Sequence, residues 1–461
     1  MTGGSTITIA GLGPGDPAQR TLEARKCLDE ASMIILRTGV HPGVEDLTAD
    51  PRTEMCDDIY DNGSTFDQVY VDIAERVLER AKTRDVVFAV PGHPTFGERS
   101  TAIIRAEAAS RGIGIRLISG ISAVDAVAAA LGVDPLAEQA QCIDALELVH
   151  LGESEPYAGG RLTVDPYRPV FVSQIYAPRV ASAVKLWLAG LFPDDHRVLV
   201  IRAAGVEGEE SIADCQVSEL DRLAVDHLAS AWIPALPPLA ASRHWGTLVS
   251  LVARLRAPGG CPWDQVQTHH SLRDAVIDEA YEAVDAIDAG DVDNLAEELG
   301  DLLLVVTMHA QIAEEAGHFS INDSLEFITT KLIRRHPHVF GELQLDSPAD
   351  VLQNWQNIKA VERAERGEPA RSTDPLERLP RSMPALTKAV KILKKHGWRK
   401  GNQIQSPDAG DRLLAVVAEI TTSGDDPEAM LHAALRRYVQ ATGLLEERGQ
   451  PVTAEATRSM S

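Results

Sequence analysis

Cysteine is scarce and scattered in this chain of 461 residues: five in all, at Cys27, Cys56, Cys142, Cys215 and Cys261, with no CxxC pair. That spacing excludes a disulfide framework and a zinc knuckle, and it suits a reducing cytoplasm. Long apolar runs are missing too. No uncharged stretch reaches the roughly 18 residues that a membrane span requires, and the N-terminus has no basic region followed by an apolar core. A soluble, cytoplasmic protein with no membrane partner is expected. Positive charge is short as well, with 44 Lys and Arg against 68 acids and a net charge of −24. A surface of that sign repels a phosphate backbone, so nucleic acid is not the expected partner. A small phosphorylated ligand stays allowed, because bound divalent cations reverse a local field.

The length calls for two or three domains, each able to bury its own core. Residues 5 to about 205 alternate short β-branched runs with helical stretches. Ile7–Ala10, Met33–Leu36, Val86–Val90, Ile115–Ile118, Val170–Ser173 and Val198–Ile201 read as strands of an α/β domain. From about residue 246 the pattern turns to long helical periodicity. The boundary falls in a stretch holding Pro234, Pro237 and Pro238, and a second Pro-rich stretch, Pro369 to Pro384, sets off a last helical segment.

In the first long helix of the all-α region, Val276, Ala280, Ala283, Val284 and Ile287 recur at the spacing of one face. Leu295, Leu299, Leu302, Leu303 and Val306 do the same in the second. Glu279 and Glu282 stand three and six residues after Val276, and Glu298 and Asp301 stand three and six after Leu295. Each acidic pair therefore lies on one shoulder of its apolar stripe. The short turn around Gly290 and Asp291 makes the two helices antiparallel neighbours. Packing stripe against stripe would bring four carboxylates to one edge, where they would raise one another's pKa values. A hard divalent cation, Mg²⁺ or Mn²⁺, relieves that conflict through oxygen ligands alone. A single acidic pair three residues apart is ordinarily solvated surface; the matched register of two pairs singles these out.

At these residues the chain resembles the MazG nucleoside triphosphate pyrophosphohydrolases. The resemblance is carried by GCPWDQVQTH from Gly260 to His269, DEAYE from Asp278 to Glu282, EELGD from Glu297 to Asp301, and KLIRRHPHVFG from Lys331 to Gly341. It covers roughly residues 244 to 400, with one departure: Asp278 stands where the EExxE element begins with Glu. The resemblance implies cleavage of a nucleoside triphosphate between its α and β phosphorus atoms, for sanitation of the nucleotide pool. It also implies metal ligation and catalysis by Glu279, Glu282, Glu298 and Asp301. Lys331, Arg334 and Arg335 share a helix face and would hold phosphates, although a helix C-terminus favours such charges anyway. Trp263, Trp355 and Lys359 would border the nucleotide. His269, His270, His336 and His338 lack zinc-ligand spacing and read as structural or capping groups. The resemblance also implies a homodimer.

A second, broken copy follows. PALTKAVKI from Pro384 to Ile392 resembles the connector before it, GDRLLAVV from Gly410 to Val417 echoes GDLLLVV from Gly300 to Val306, and LRRY from Leu435 to Tyr438 echoes IRRH from Ile333 to His336. Between Trp398 and Asp408 there is no room for a helix bearing the first acid pair, and only Asp408 and Asp411 remain of four ligands. This copy should not bind the metal.

In the N-terminal region, GLGPGD from Gly11 to Asp16 follows the first strand, where glycines admit either a close ligand or a tight turn. With VPGHP from Val90 to Pro94, GISA from Gly120 to Ala123 and PVFVSQ from Pro169 to Gln174, it resembles the tetrapyrrole (corrin and porphyrin) methylases. These are two-lobed α/β proteins that bind S-adenosylmethionine between the lobes. The resemblance implies cofactor contacts from Gly11, Gly13, Gly15, Pro91, Gly92, His93, Ser122 and Ala123. His93 stands where that family's second loop commonly carries Asp, which counts against methyl transfer more than against the fold.

The expected organisation is a multidomain chain: a methylase-like domain over 5–222, a linker over 223–243, an all-α MazG domain over 244–365, a linker over 366–384 and the degenerate helical segment over 385–450. Three readings compete. In the favoured one the helical domain is a Mg²⁺-dependent hydrolase of small-molecule nucleoside triphosphates. In the second the chain is an S-adenosylmethionine-dependent methyltransferase acting on a tetrapyrrole-like substrate, and in the third both domains are ligand-binding sensors. The intact four-acid set beside a depleted tail copy favours the first.

Overall fold

A computed structural model of the chain describes residues 5–62, 65–154, 164–345, 347–367, 374–396 and 408–442. By compactness it divides into residues 1–327 and 328–461.

The first unit begins with two α/β lobes. The first lobe runs β1 (Thr6–Gly11), α1 (Leu22–Glu30), β2 (Ile34–Leu36), α2 (Glu45–Thr48), β3 (Thr53–Met55), α3 (Asp57–Asn62), α4 (Phe66–Ala81), β4 (Val86–Val90), α5 (Arg99–Ala108) and β5 (Gly114–Ile118). Its strands form one parallel sheet in the order β3-β2-β4-β1-β5. Every residue of β4 is buried, as expected of a central parallel strand covered by helices on both faces. Apolar side chains of α4, among them Ile73, Val77 and Leu78, fill one face, and Ala24 and Leu28 of α1 belong to the cluster on the other.

The second lobe runs α6 (Ala123–Leu131), β6 (Gln141–Asp144), α7 (Ala145–Ser154), β7 (Val170–Ser173), α8 (Pro178–Ala189), β8 (Arg197–Arg202), β9 (Ser211–Gln216) and β10 (Ala229–Ile233). Its sheet is mixed, in the order β6-β7-β10-β8-β9. β10 is fully buried at the centre of this sheet yet lies within 223–243, the stretch expected to be a linker. The second lobe therefore runs through Ile233. β10 escaped the sequence reading because small residues, Ala-Ser-Ala, open it directly before the prolines.

The glycines of the first loop have a structural cause. A Cβ on Gly11 would lie 2.5 Å from the Gly92 carbonyl oxygen and 2.7 Å from the Gly120 nitrogen, and one on Gly120 would lie 2.2 Å from the same oxygen. Three loops leaving the sheet thus meet backbone to backbone, and any side chain there would force them apart. Gly13 and Gly92 exchange backbone hydrogen bonds across the junction at 3.2 and 2.8 Å.

The helices begin with α9 (Trp245–Arg256), which meets the second lobe through the Tyr167 and Thr247 hydroxyls, 2.6 Å apart. Then come α10 (Pro262–Gln265), α11 (Arg273–Ala289), α12 (Val292–Glu315) and α13 (Ile321–Arg335), the last running through the division between units. α14 (Pro337–Phe340), α15 (Pro348–Glu365), α16 (Ala385–His396), α17 (Ala409–Ser423) and α18 (Pro427–Thr442) complete the chain. Residues 397–407 and 443–450, to which the broken-copy reading extends, lie outside the described residues. No described helix is long and apolar enough to cross a membrane.

Candidate functional site: a carboxylate cluster on a helical hairpin

α11 ends at Gly290, whose φ of +68° is the left-handed conformation that closes a helix, and Asp291 then caps α12 by accepting from the Asn294 amide at 3.1 Å. The two-residue connection turns the chain back on itself, so α11 and α12 pack as an antiparallel pair. On this hairpin Glu279, Glu282 and Glu298 each offer an oxygen, and the three atoms lie within 4.8 Å of one another. Asp301 is outside that tight trio, but its charge still raises the pKa of both Glu279 and Glu298.

The electrostatics follow from crowding. Partial loss of water around Glu279 raises its pKa, and Asp301, Glu282 and Asp278 add to the effect. Glu298 is raised by the same desolvation, by the charge of Glu282 and by a carboxyl-carboxyl hydrogen bond to it, with Asp301 and Glu279 contributing further. All-oxygen donors of like charge, held this close at the surface, have the chemistry a hard divalent cation requires.

The packing differs from the expected stripe against stripe. Ala283 and Ala286 are the buried residues of α11, and Val305, Met308, Ala310 and Ala313 are buried on α12, where Met308 joins Val252 and Leu272. Val284 and Ile287, by contrast, are 48% and 59% exposed, and Leu299 and Leu303 are 49% and 46% exposed. Much of each apolar stripe is therefore left exposed, and small alanines make up the buried part of α11.

The basic helix also departs from expectation. Arg334 and Arg335 converge on Glu362 of α15, at 2.6 and 2.5 Å, and the Glu362 side chain is only 4% exposed. Their hydrogen bonds and charge hold the Glu362 carboxyl below the usual range, against desolvation. Both arginines are thus engaged as structural partners of a buried acid. Lys331 is half-buried and forms no ion pair among the described residues. Lys359 lies 5.7 Å over the Trp355 ring, and His336 meets the same ring edge-on at 5.1 Å. Trp355 Nε1, Asn354 Nδ2 and His338 Nδ1 are buried without hydrogen-bond partners. Trp263, on α10, is 64% exposed. His269 Nδ1 lies 2.9 Å from that of His309, with the rings stacked.

A second concave site lies between the two α/β lobes, a cavity of about 670 Å³. Of the residues expected to touch a cofactor, Pro91, Gly92, His93 and Ala123 line it, whereas Gly11, Gly13, Gly15 and Ser122 are not among its lining groups. The last four have other work. The glycines make the backbone junction and its turns, with Gly13 and Gly15 at φ of +80° and +141°, and Ser122 with Asp125 forms the capping box of α6. The sequence reading missed Arg37, Tyr60, Tyr70 and Glu98, all in the lining. Gln174 and Ala203, also in the lining, are two of four non-glycine residues with positive φ among those described, at 63° and 51°. Such strain gathers where a site must be shaped. Gln174 also donates from Nε2 to the Gly97 carbonyl at 3.0 Å, tying one lobe to the other.

Comparison with known proteins now bears on both sites. The family model for Tetrapyrrole (Corrin/Porphyrin) Methylases matches residues 6–221, and that for the MazG nucleotide pyrophosphohydrolase domain matches residues 267–340. The uncharacterized protein YabN of Bacillus subtilis (strain 168) is 38% identical over 394 residues, covering 84% of this chain and 76% of YabN. This chain belongs to the YabN-like family of tetrapyrrole methylase–MazG fusions. Within the fusion, the MazG part is 36% identical to the nucleoside triphosphate pyrophosphohydrolase/pyrophosphatase MazG of Thermotoga maritima over 224 residues, 43% of this chain and 84% of that protein. It is 44% identical to a nucleoside triphosphate pyrophosphohydrolase of Escherichia coli (strain K12) over 149 residues, 32% of this chain and 55% of the other. The MazG match spans α11, α12 and α13, so the carboxylate trio lies inside it.

Proposed function

We propose that the MazG domain hydrolyses nucleoside triphosphates to the monophosphate and pyrophosphate, using Mg²⁺ or Mn²⁺ held by Glu279, Glu282 and Glu298 with Asp301 completing the set. The observation that carries the reading is the convergence of three carboxylate oxygens within 4.8 Å of one another on one helical hairpin. A bound divalent cation supplies charge neutralisation at the phosphates and a lowered pKa for the attacking water. Glu279, Glu282, Glu298 and Asp301 would hold that cation, and a carboxylate oxygen of the set not engaged by it would be placed to take a proton from the attacking water. Lys331 offers its ammonium to phosphate oxygens, because no acid of the described chain claims it. Trp355, with Lys359 over its ring and an unpartnered indole N–H, offers a face and a donor for the base. Arg334 and Arg335 reach phosphate only by leaving Glu362.

A homodimer is part of this proposal. Val284, Ile287, Leu299 and Leu303 form an apolar shoulder that a single copy leaves exposed, and a second copy would cover it. For the N-terminal domain, the inter-lobe cavity with Pro91, Gly92, His93 and Ala123 in its lining favours S-adenosylmethionine as a ligand. Methyl transfer to a tetrapyrrole-like acceptor is the second reading of the chain.

The test is to incubate the full chain with each common nucleoside triphosphate and Mg²⁺ and to resolve the products. Equal amounts of monophosphate and pyrophosphate are expected, abolished by EDTA. Diphosphate with orthophosphate would mean cleavage at the wrong bond and would overturn the reading.

A further inference from the structure

We infer that the base subsite at Trp355 selects nucleotides whose base carries a ring carbonyl where adenine and cytosine carry an amine, with Asn354 and Trp355 donating to that carbonyl. The inference rests on the placement of the base at Trp355 under the pyrophosphohydrolase reading, and it adds the chemistry that chooses among bases. Unused donors are its basis. Within α14 and α15, Trp355 Nε1, Asn354 Nδ2 and His338 Nδ1 are buried and have no hydrogen-bond partner. An indole N–H can only donate, and so can the amide nitrogen of an asparagine. Burying such a group unpaired works against the fold, and native proteins leave few of them. Donors at neighbouring positions of one helix, one of them on an aromatic ring suited to stacking, mark a place where a ligand supplies the acceptors.

His336 ties the group together. Its ring lies 5.1 Å from that of Trp355 and 5.7 Å from that of His338. His336 Nδ1 is 2.7 Å from the Leu332 carbonyl oxygen, which can only accept. Nδ1 therefore carries the proton, and Nε2 of the neutral ring is an acceptor. Lys359 Nζ, 5.7 Å over the Trp355 ring, is a further donor. Beside that ring lies a concavity of about 600 Å³, walled mainly by Leu345, Pro348, Val351 and Leu352. Those side chains suit a flat base and offer it no hydrogen bonds, so polar recognition falls to Asn354, Trp355, Lys359 and His336.

The polarity of that set decides between bases. A carbonyl oxygen has lone pairs for both the Trp355 and the Asn354 N–H groups. The ring N–H that accompanies such a carbonyl in guanine, hypoxanthine, uracil and thymine finds its acceptor in His336. Adenine and cytosine reverse both partners: an amine then faces donors, and a bare ring nitrogen faces a lone pair. Either base would leave the buried donors unpaired, the case in which a hydrogen-bonding site rejects the wrong ligand most strongly.

Inosine and adenosine monophosphates differ only along that edge. Isothermal titration of each into the full chain is expected to show inosine monophosphate binding at least about ten-fold tighter. In the pyrophosphate assay with Mg²⁺, kcat/KM for inosine triphosphate should exceed that for adenosine triphosphate by a similar ratio. Trp355→Phe keeps an aromatic face and removes the N–H, so it should shrink the ratio toward one. Asn354→Asp puts an acceptor in place of the donor and should shrink or reverse it. A merely structural role for these residues would weaken both ligands together and leave the ratio unchanged. Equal affinities in the wild type, tighter binding of adenosine monophosphate, no binding of either, or a ratio that both variants leave unchanged would overturn the inference, even where pyrophosphate is released. Preferential binding of inosine monophosphate by a chain that releases no pyrophosphate would overturn the hydrolase reading instead and support the base selection.

Discussion

Glu298→Ala is expected to lower the rate of pyrophosphate release by about two to three orders of magnitude, the loss that follows when metal-borne stabilisation of charge at phosphorus is removed. The same change should make the metal-free protein more resistant to heat, not less. The folded chain disfavours the ionised form of Glu298: lost water, the charge of Glu282, the hydrogen bond that Glu282 makes with its protonated form, and the further charges of Asp301 and Glu279 all work against it. Removing it relieves that repulsion while leaving Ala283 and Ala286, the buried residues of α11, untouched. An acid kept in place at the expense of stability is the expected signature of a ligand. Pyrophosphate assays and melting curves on wild type and variant, each with and without Mg²⁺, read both effects. A variant that keeps full activity would remove Glu298 from the site.

The second large effect is on stability against pH. Glu279 and Glu298 have folded pKa values above their ordinary ones, so between the two values the folded chain binds more protons than the unfolded chain. By linkage, the metal-free protein then loses stability as pH rises through the carboxylate range, and at low pH, with both forms protonated, the penalty is absent. Mg²⁺ reverses the sign of the field at these oxygens. Its stabilising shift in melting temperature should be large at pH 7 to 8 and shrink toward pH 5, as the ligands take protons instead. Scanning fluorimetry from pH 5 to 8 with and without Mg²⁺ measures this. A shift that is constant with pH would mean the metal binds elsewhere.

Much of this was legible in the sequence, and for identifiable reasons. Helical spacing places Glu279 with Glu282 and Glu298 with Asp301 on one shoulder each, and a short turn makes the helices neighbours; those two facts suffice to bring carboxylates together. They do not set the roll of one helix about the other. In the folded hairpin Asp301 stands outside the tight trio, and Val284 and Leu303 are left exposed. Likewise, Arg334 and Arg335 have the spacing of a phosphate grip, but Glu362, 27 residues beyond Arg335, holds both, and no local pattern announces that contact.

The inter-lobe cavity was the least legible part. Its glycine loops could be read as turns or as ligand cradles, and the backbone junction of Gly11, Gly92 and Gly120 decides for close chain packing at the first loop. Arg37 and Glu98 come from separate loops of the first lobe and meet only once its parallel sheet has formed. β10 was hidden for another reason: strand propensity is weak in a run of small residues, and burial at the centre of a sheet supplies what propensity lacks.

The central claim is that Glu279, Glu282 and Glu298 are ligands of a divalent cation. Crystals of the full chain soaked with Mn²⁺ and measured for anomalous scattering test it most directly. A peak bound by oxygens of these three glutamates is the predicted result. Active protein whose only Mn²⁺ peaks lie away from the α11–α12 hairpin would contradict it.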